Sequence, residues 1–287
     1  MFEKGPYLGA HMSIAGGVHL AVERAQKIEA QALQVFTKSS NQWFSKPLDL
    51  QNIQKFQEAR KEAKLKFAFA HDAYLINLAS PDSVLWEKSI KAFSDEMDRA
   101  HSLGLDFIVF HPGAHMRSGV DPGCSRIAQA MNQLLDQKKD YKLMLLLENA
   151  AGQGTTLGRT FEELAQIWNQ VEDQSRVGFC FDTCHAFAAG YDIRTSEGFS
   201  QTMKKFDEVI GVRHIKAFHL NDSKKGLECR VDRHEHIGKG QLGVQAFRWL
   251  LTDQRFKDCP MVLETPKSED LHEDRENLKV LRSLLTN

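Results

Sequence analysis

KLMLLLENAAGQG, residues 142–154, is the stretch on which the fold turns. Its apolar part, 142–147, has the length of a buried strand and no strict alternation, which suits a parallel sheet covered on its outer face. The run stops at a carboxylate, Glu148, and a polar, glycine-bearing loop follows. Working outward in both directions, comparable short apolar runs recur at residues 7–10, 32–37, 67–70, 106–110, 177–181, 215–218 and 261–263. The stretches between them have helical periods. Trp86, Ile90, Phe93, Met97 and Ala100 step by four, three, four and three, and Gly104 follows as a C-terminal stop. Thr160 and Glu163 form a capping-box pattern ahead of Leu164, Ile167, Trp168 and Val171. These aromatic and methionine positions read as core. Eight strands alternating with helices, with no break in composition, predict an α/β fold: a (β/α)8 TIM barrel forming a single domain over residues 1–287. A doubly wound open sheet fits less well, because no glycine-rich phosphate loop follows the first run. Two segments, 38–48 and 221–243, are long, polar and irregular, as functional loops usually are.

With 42% apolar residues in 287, the chain can bury a large core, and a formal charge of -1 at pH 7 gives no hint of a polyanionic partner. Residues 1–13 lack the charged start and apolar stretch of a signal peptide, and the strongest apolar run, 143–147, is too short to span a bilayer. Cys124, Cys180, Cys184, Cys229 and Cys259 form no C-x-x-C pair, and their odd number argues against a secreted disulfide framework. The expectation is a soluble cytoplasmic protein with reduced thiols, and a monomer.

Barrel enzymes place their chemistry at the C-terminal ends of the strands. The residues just past the third to eighth apolar runs are His71, His111, Glu148, Asp182 (with His185 three places on), His219 and Glu264. Asp232 and His234 lie in the long loop after the seventh run. Four carboxylates crowded on one rim would repel one another without compensating cations. Imidazoles and carboxylates without an obligatory thiolate suit Zn²⁺ or Mn²⁺ rather than oxygen-seeking Ca²⁺ or Mg²⁺. So many ligands exceed the needs of one tetrahedral ion and fit two or three with shared carboxylates. Cys184 reads as packing, because neighbouring positions on an extended chain face opposite ways. Metal ions would turn a near-neutral chain into one with a concentrated cationic pocket, suited to a phosphate.

The segments GAHMSIAGG (9–17), HDAYLINL (71–78), HPGAH (111–115), LLENAAGQG (146–154), FDTCHAFAAGYD (181–192), HLNDSK (219–224), VDRHEHIG (231–238) and LETP (263–266) resemble those of endonuclease IV over essentially the whole chain. The resemblance implies a barrel with three Zn²⁺ ions. His71, His111 and Glu148 would hold the first; Glu148, bridging, with Asp182, His219 and Glu264 the second; His185, Asp232 and His234 the third. It also implies a hydroxide between the first two ions as nucleophile, with Glu148 and Glu264 as the catalytic carboxylates. The expected activity is that of an apurinic/apyrimidinic endonuclease of base excision repair. Cleavage would fall 5′ to an abasic site in double-stranded DNA, giving a 3′-hydroxyl and a 5′-deoxyribose phosphate, with removal of blocking groups from 3′ ends.

By the same resemblance Tyr74 and Leu75 enter the gap left by a flipped abasic nucleotide. Asn41 stands where close relatives often carry an inserting arginine, and reads as an ordinary polar loop residue. Weaker, less salt-dependent DNA binding is expected from that change. Lys38, Lys46, Lys224, Lys225, Arg230 and Arg233 are candidate phosphate contacts, although Arg233 could pair with a carboxylate instead. His11 and His115 read as supports beside the site; His19, His101, His214 and His272 read as peripheral and solvated. The alternative enzyme is a sugar isomerase or epimerase holding one ion on Glu148, Asp182, His219 and Glu264. It leaves His71, His111, His185, Asp232 and His234 unexplained. A non-catalytic binder of damaged DNA would be expected to have lost some of these ligands, and none is lost.

Overall fold

The computed structural model describes residues 5–285, so Met1–Lys4 of the N-terminal reading lie outside the described residues. Ten strands are described: β1 (Tyr7–His11), β2 (Ala32–Phe36), β3 (Phe67–His71), β4 (Phe107–Phe110), β5 (Met144–Glu148), β6 (Val177–Asp182), β7 (Ile215–His219), β8 (Asp222–Ser223), β9 (His234–Glu235) and β10 (Pro260–Leu263). Eight of them close into one barrel in the order β1-β2-β3-β4-β5-β6-β7-β10, every neighbouring pair parallel. The strands β8 and β9 form a separate antiparallel ribbon. The 221–243 segment, read as irregular, therefore contains its own small sheet.

The helices are α1 (His19–Lys27), α2 (Leu50–Ala63), α3 (Ser83–Leu103), α4 (Val120–Gln137), α5 (Phe161–Trp168), α6 (Thr183–Ala189), α7 (Ser196–Val209), α8 (Val244–Thr252) and α9 (His272–Leu284). The apolar stripe from Ile90 to Ala100 on α3 is buried, and the helix stops at Gly104, whose φ of 70° is the left-handed conformation that glycine adopts most readily. On α5 the Thr160 hydroxyl accepts from Glu163 N at 3.2 Å, as the capping pattern predicts. The Glu163 carboxylate turns further back, to Gly158 N and Arg159 N at 2.8 and 3.0 Å.

The core has two layers. A large outer layer packs the helices on the barrel; a small inner one fills it with Ala32, Phe69, Val109, Leu146, Cys180, Ala217 and Val262, over Tyr7, Phe67, Phe107 and Met144. Three loops at the C-terminal mouth are stapled together. The Asn77 side chain accepts from Ala79 N and Ala114 N at 3.1 and 3.0 Å and donates to the Ala114 carbonyl at 2.9 Å. Ala114 in turn bridges to Thr156. No described helix is long and apolar enough to cross a membrane.

Candidate metal centre

Strand periodicity builds the site. Successive side chains of a strand face opposite ways, so residues that fill the barrel are followed, two places on, by residues at its mouth. Ala32 leads to Gln34, Phe69 to His71, Val109 to His111, Leu146 to Glu148, Cys180 to Asp182, Ala217 to His219 and Val262 to Glu264. On β1 the corresponding residue is His11. All eight barrel strands thus contribute one polar side chain to a ring above the inner core.

The ring and the loops above it produce three adjoining groups, in each of which the donor atoms lie within 4.8 Å of one another: His71, His111 and Glu148; Glu148, Asp182, His219 and Glu264; His185, Asp232 and His234. Glu148 belongs to two of them. Its Oε2 is 3.2 Å from His71 Nε2 and 3.6 Å from His111 Nε2, and its Oε1 is 2.9 Å from His219 Nδ1. The same His219 nitrogen is 3.2 Å from Glu264 Oε2. Asp232 stands 3.2 Å from His185 Nε2 and 3.1 Å from His234 Nε2.

The imidazoles are held by their other nitrogens. His71 Nδ1 donates to the Asp72 carbonyl at 2.9 Å, His185 Nδ1 to the Asn149 carbonyl at 3.0 Å and His234 Nδ1 to the Glu264 carbonyl at 3.2 Å. His219 Nε2 donates to Gln34 Oε1 at 2.7 Å. In each ring the opposite nitrogen is then free to act as an acceptor facing the carboxylates, the arrangement that metal-binding histidines require. Among these, His185 Nε2 and His234 Nε2 are buried without a hydrogen-bond partner although Asp232 is close to both. Donors that converge without making hydrogen bonds fit a shared cation. The donor set, imidazole and carboxylate gathered without an obligatory thiolate, therefore suits divalent ions of the zinc and manganese type.

Electrostatics lead to the same requirement. Burial alone would lower His71 and His234, yet Glu148 raises His71 to about 10 and Asp232 raises His234 to about 9. Burial takes His111 down to about 4, against the pull of Glu148. Burial also pushes Asp182 up. The Glu148 carboxyl resists burial and stays well below its usual range, because His219, His111 and His185 surround it. These groups need positive charge between them, whether from protons or from metal ions.

The carboxylates are also oriented. Asn149 accepts from Asp182 N at 2.8 Å and donates to its carbonyl at 3.1 Å. Asn221 donates to Asp182 Oδ2 at 2.7 Å and accepts from Glu264 N at 2.9 Å. Gln34 Nε2 donates to Glu264 Oε1 at 2.5 Å and to His11 Nδ1 at 2.9 Å. The ring opens to solvent on one side, through His111 and Asp232, whose side chains are 37% and 45% exposed. Beside it lies a cavity of about 460 Å³ lined in part by His11, Phe36, Tyr74, His234, Glu264 and Lys267.

Residues 22–284 match the family model of the xylose isomerase-like TIM barrel. A probable endonuclease 4 from Trichlorobacter lovleyi is 50% identical over 278 residues, covering 97% of this chain and 99% of that one. Another from Chloroflexus aurantiacus is 47% identical over 280 residues, covering 98% of each. The crystal structure of endonuclease IV from Thermus thermophilus superposes with a TM-score of 0.86 at 36% identity, over 98% of this chain and 99% of that one. The chain belongs to the endonuclease IV family. The barrel alone is shared more widely: a D-psicose 3-epimerase superposes with a TM-score of 0.71 at 14% identity, over 98% of this chain and all of that one.

In this endonuclease IV family member, His71, Glu148, Asp182 and His219 are the last residues of their strands, while His111 and Glu264 lie one place beyond. Several sequence expectations are corrected. Lys38 is buried in an ion pair with Glu96, which also accepts from Thr37, so it is not available to a phosphate. The apolar run 32–37 reaches past the ring position: β2 ends at Phe36, and its ring residue is Gln34. Its signal was parity: it stands two places after Ala32, as His71 does after Phe69.

His115 does not support the metal ring; its Nδ1 accepts from Gly119 N at 3.1 Å and shapes its own loop. His11 does lie beside the ring, 3.7 Å from Glu264. His214 is half-buried against Trp168, and His19 is half-buried too, so neither is simply solvated. His101 is exposed but stacks on Tyr141 at 3.8 Å, and His272 is 52% exposed beside Asp270. Cys184 is buried, as packing requires, but for a different reason: it sits in the first turn of α6, and its thiol lies within 4.8 Å of donor atoms of Asp182 and His234. Burial pushes that thiol up to about 12. Arg233 is exposed and donates to the Asp232 carbonyl at 2.7 Å, not to a carboxylate. Asn41, Lys46, Lys224, Lys225 and Arg230 are exposed, as is Tyr74 at 65%, with Leu75 half-buried beside it.

Proposed function

We propose that this chain is an apurinic/apyrimidinic endonuclease of base excision repair. It hydrolyses the phosphodiester 5′ to an abasic site in double-stranded DNA, leaving a 3′-hydroxyl and a 5′-deoxyribose phosphate, and it trims blocking groups from 3′ ends by the same bond chemistry. The observation that carries this reading is the set of three adjoining donor groups joined through Glu148. Zn²⁺ is the expected ion in each, with Mn²⁺ able to take part, and the groups are filled as His71–His111–Glu148, Glu148–Asp182–His219–Glu264 and His185–Asp232–His234. Bound there, the ions supply charge to a phosphate and lower the pKa of water.

The chain's own residues divide the work by exposure. Glu148 has no exposed surface, so it acts by fixing the relation between two groups rather than by touching DNA. Glu264 borders the open cavity and is oriented by Gln34 and Asn221, which suits it to align an incoming water and take its proton. His111 and Asp232 form the face at which a phosphate arrives. Tyr74 and Leu75 stand beside that face as the side chains that fill the space of the missing base, with Asn41, Lys46, Lys224, Lys225, Arg230 and Arg233 around it for the backbone. The free cysteines support a reducing compartment, and we place the enzyme in the cytoplasm as a monomer.

A one-ion sugar isomerase would use Glu148, Asp182, His219 and Glu264 alone. It gives no reason for the unpartnered nitrogens of His185 and His234. The test is incision of a duplex carrying one abasic site, with and without prior chelation, alongside metal analysis of the same preparation. Chelator-sensitive cleavage 5′ to the lesion is expected. No such incision, or about one ion per chain, overturns the reading.

A further inference from the structure

The segment between β7 and α8 carries Asp232 and His234, two of the three residues of the third metal group, yet its outer part buries no large apolar side chain: Lys224 to Glu228, Arg230 and Arg233 are exposed, and Ile237 and Leu242 reach the core only on its far limb. Its ends meet instead on one carboxylate. Asp222 is buried at the start of β8 and accepts five backbone N–H groups: Ser223 N at 2.7 Å and Leu242 N at 2.9 Å on Oδ1, and Gly238 N at 2.9 Å, Gly240 N at 3.1 Å and Gly243 N at 3.2 Å on Oδ2. The approach is so close that a Cβ on Gly240 would lie 2.4 Å from Asp222 Oδ1 and 2.4 Å from the Ser223 carbonyl. From this anchor the ribbon runs outward, with Asp222 opposite Glu235 and Ser223 opposite His234. Lys224 N then donates to the Arg233 carbonyl at 2.9 Å, and Asn277 of α9 holds Ile237 N at 3.0 Å.

We propose that Asp222 is a positioning residue for the third metal group. Its carboxylate gathers both limbs of the loop and sets Asp232 and His234 against His185 before any ion is bound, an inference that rests on the three-group reading above. Ile237 and Leu242 hold only the far limb to the core, and a loop whose outer part has no such anchor opens readily unless polar bonds close it. Here a single side chain makes five of them. Asp222 touches none of the donor nitrogens in these contacts, so its effect passes through the backbone of residues 223–243.

The test compares wild type with Asp222→Asn and Gly240→Ala, the second displacing the carboxylate while keeping its charge. Each protein is stripped by chelation, and hydrogen exchange of residues 238–243 is followed before Zn²⁺ is added back and titrated against a chromophoric chelator. Wild type is expected to protect these amides even without metal and to bind Zn²⁺ in all three groups. Both variants are expected to exchange there at least tenfold faster and to bind one ion at least tenfold more weakly. The other two ions and the exchange of the barrel strands should stay at wild-type values. An Asp222→Asn protein that fails to fold leaves Gly240→Ala to decide by the same two readouts. Wild-type protection and three tight ions in the variants overturn the inference. A wild type that itself binds fewer than three ions overturns the three-ion reading instead, and the exchange of residues 238–243 still decides for or against Asp222.

Discussion

Gln34 Oε1 accepts from His219 Nε2 at 2.7 Å, and this bond turns His219 Nδ1 toward Glu148 and Glu264. The same amide donates to Glu264 and His11, so one neutral side chain fixes two members of the second metal group. Gln34→Met keeps the bulk of the side chain and removes both roles. Zn²⁺ affinity at that group is expected to fall about 10- to 100-fold, the usual cost of losing such a partner. Competition titration with a chromophoric chelator measures it; unchanged affinity in the variant counts against this role for Gln34.

Without metal, the site is expected to hold protons instead. His71 is raised to about 10 and His234 to about 9, from an ordinary 6.5. A base with a raised folded-state pKa contributes stability that is fully present below its unfolded pKa and lost as pH rises through the folded one. The chelated protein should therefore lose melting temperature between about pH 6.5 and 10. In the zinc-loaded protein the ions take the place of those protons, so the fall over the same range should be smaller. Melting curves of both forms across this range check the difference, and parallel curves would count against it.

The buried pair of Lys38 and Glu96 makes a separate prediction. Lys38→Met leaves Glu96 with only the Thr37 hydroxyl of the two, and removing one partner of a buried ion pair costs about 3–5 kcal/mol. Denaturant unfolding should show that loss. The salt dependence of DNA binding should not change, because Lys38 is not a phosphate contact.

Asn41 is exposed in a turn of the β2–α2 loop, where an arginine would be free to reach a duplex. On the proposed function, Asn41→Arg is expected to tighten binding to abasic duplex and to steepen the salt slope by about one charge. Equal affinity and slope for the two proteins would remove Asn41 from the DNA-contacting set.

Much of this was legible because the barrel repeats. Eight apolar runs and the polar residues at their ends were enough to name His71, His111, Glu148, Asp182, His219 and Glu264, since strand ends and active sites coincide in such a fold. What escaped were residues whose role depends on register. Gln34 lies inside its strand, where a polar residue in an apolar run has no distinguishing mark until the inner layer below it is known. Asp222 is one acidic residue in a polar stretch, and the five amides it binds lie up to twenty-one positions away. Lys38 looked free because a loop lysine usually is; the partner that buries it, Glu96, sits on α3, distant in sequence. The alternation argument for Cys184 does not apply, because the chain coils into α6 at once after Asp182 and brings the thiol near Asp182 and His234.

The Asn77 staple has a mechanical consequence. It ties the segment that bears Tyr74 and Leu75 to Ala114, close after His111, and through Ala114 to Thr156. On the proposed function, the side chains that enter the duplex are thus mounted on the same stiff frame as the first metal group. On that reading, when protein and DNA press together a frame held by these bonds would yield little and the strain would pass to the nucleic acid. It gives way most easily where a base is missing from the stack, so the enzyme would select its lesion as a gauge selects the softest point of a rod.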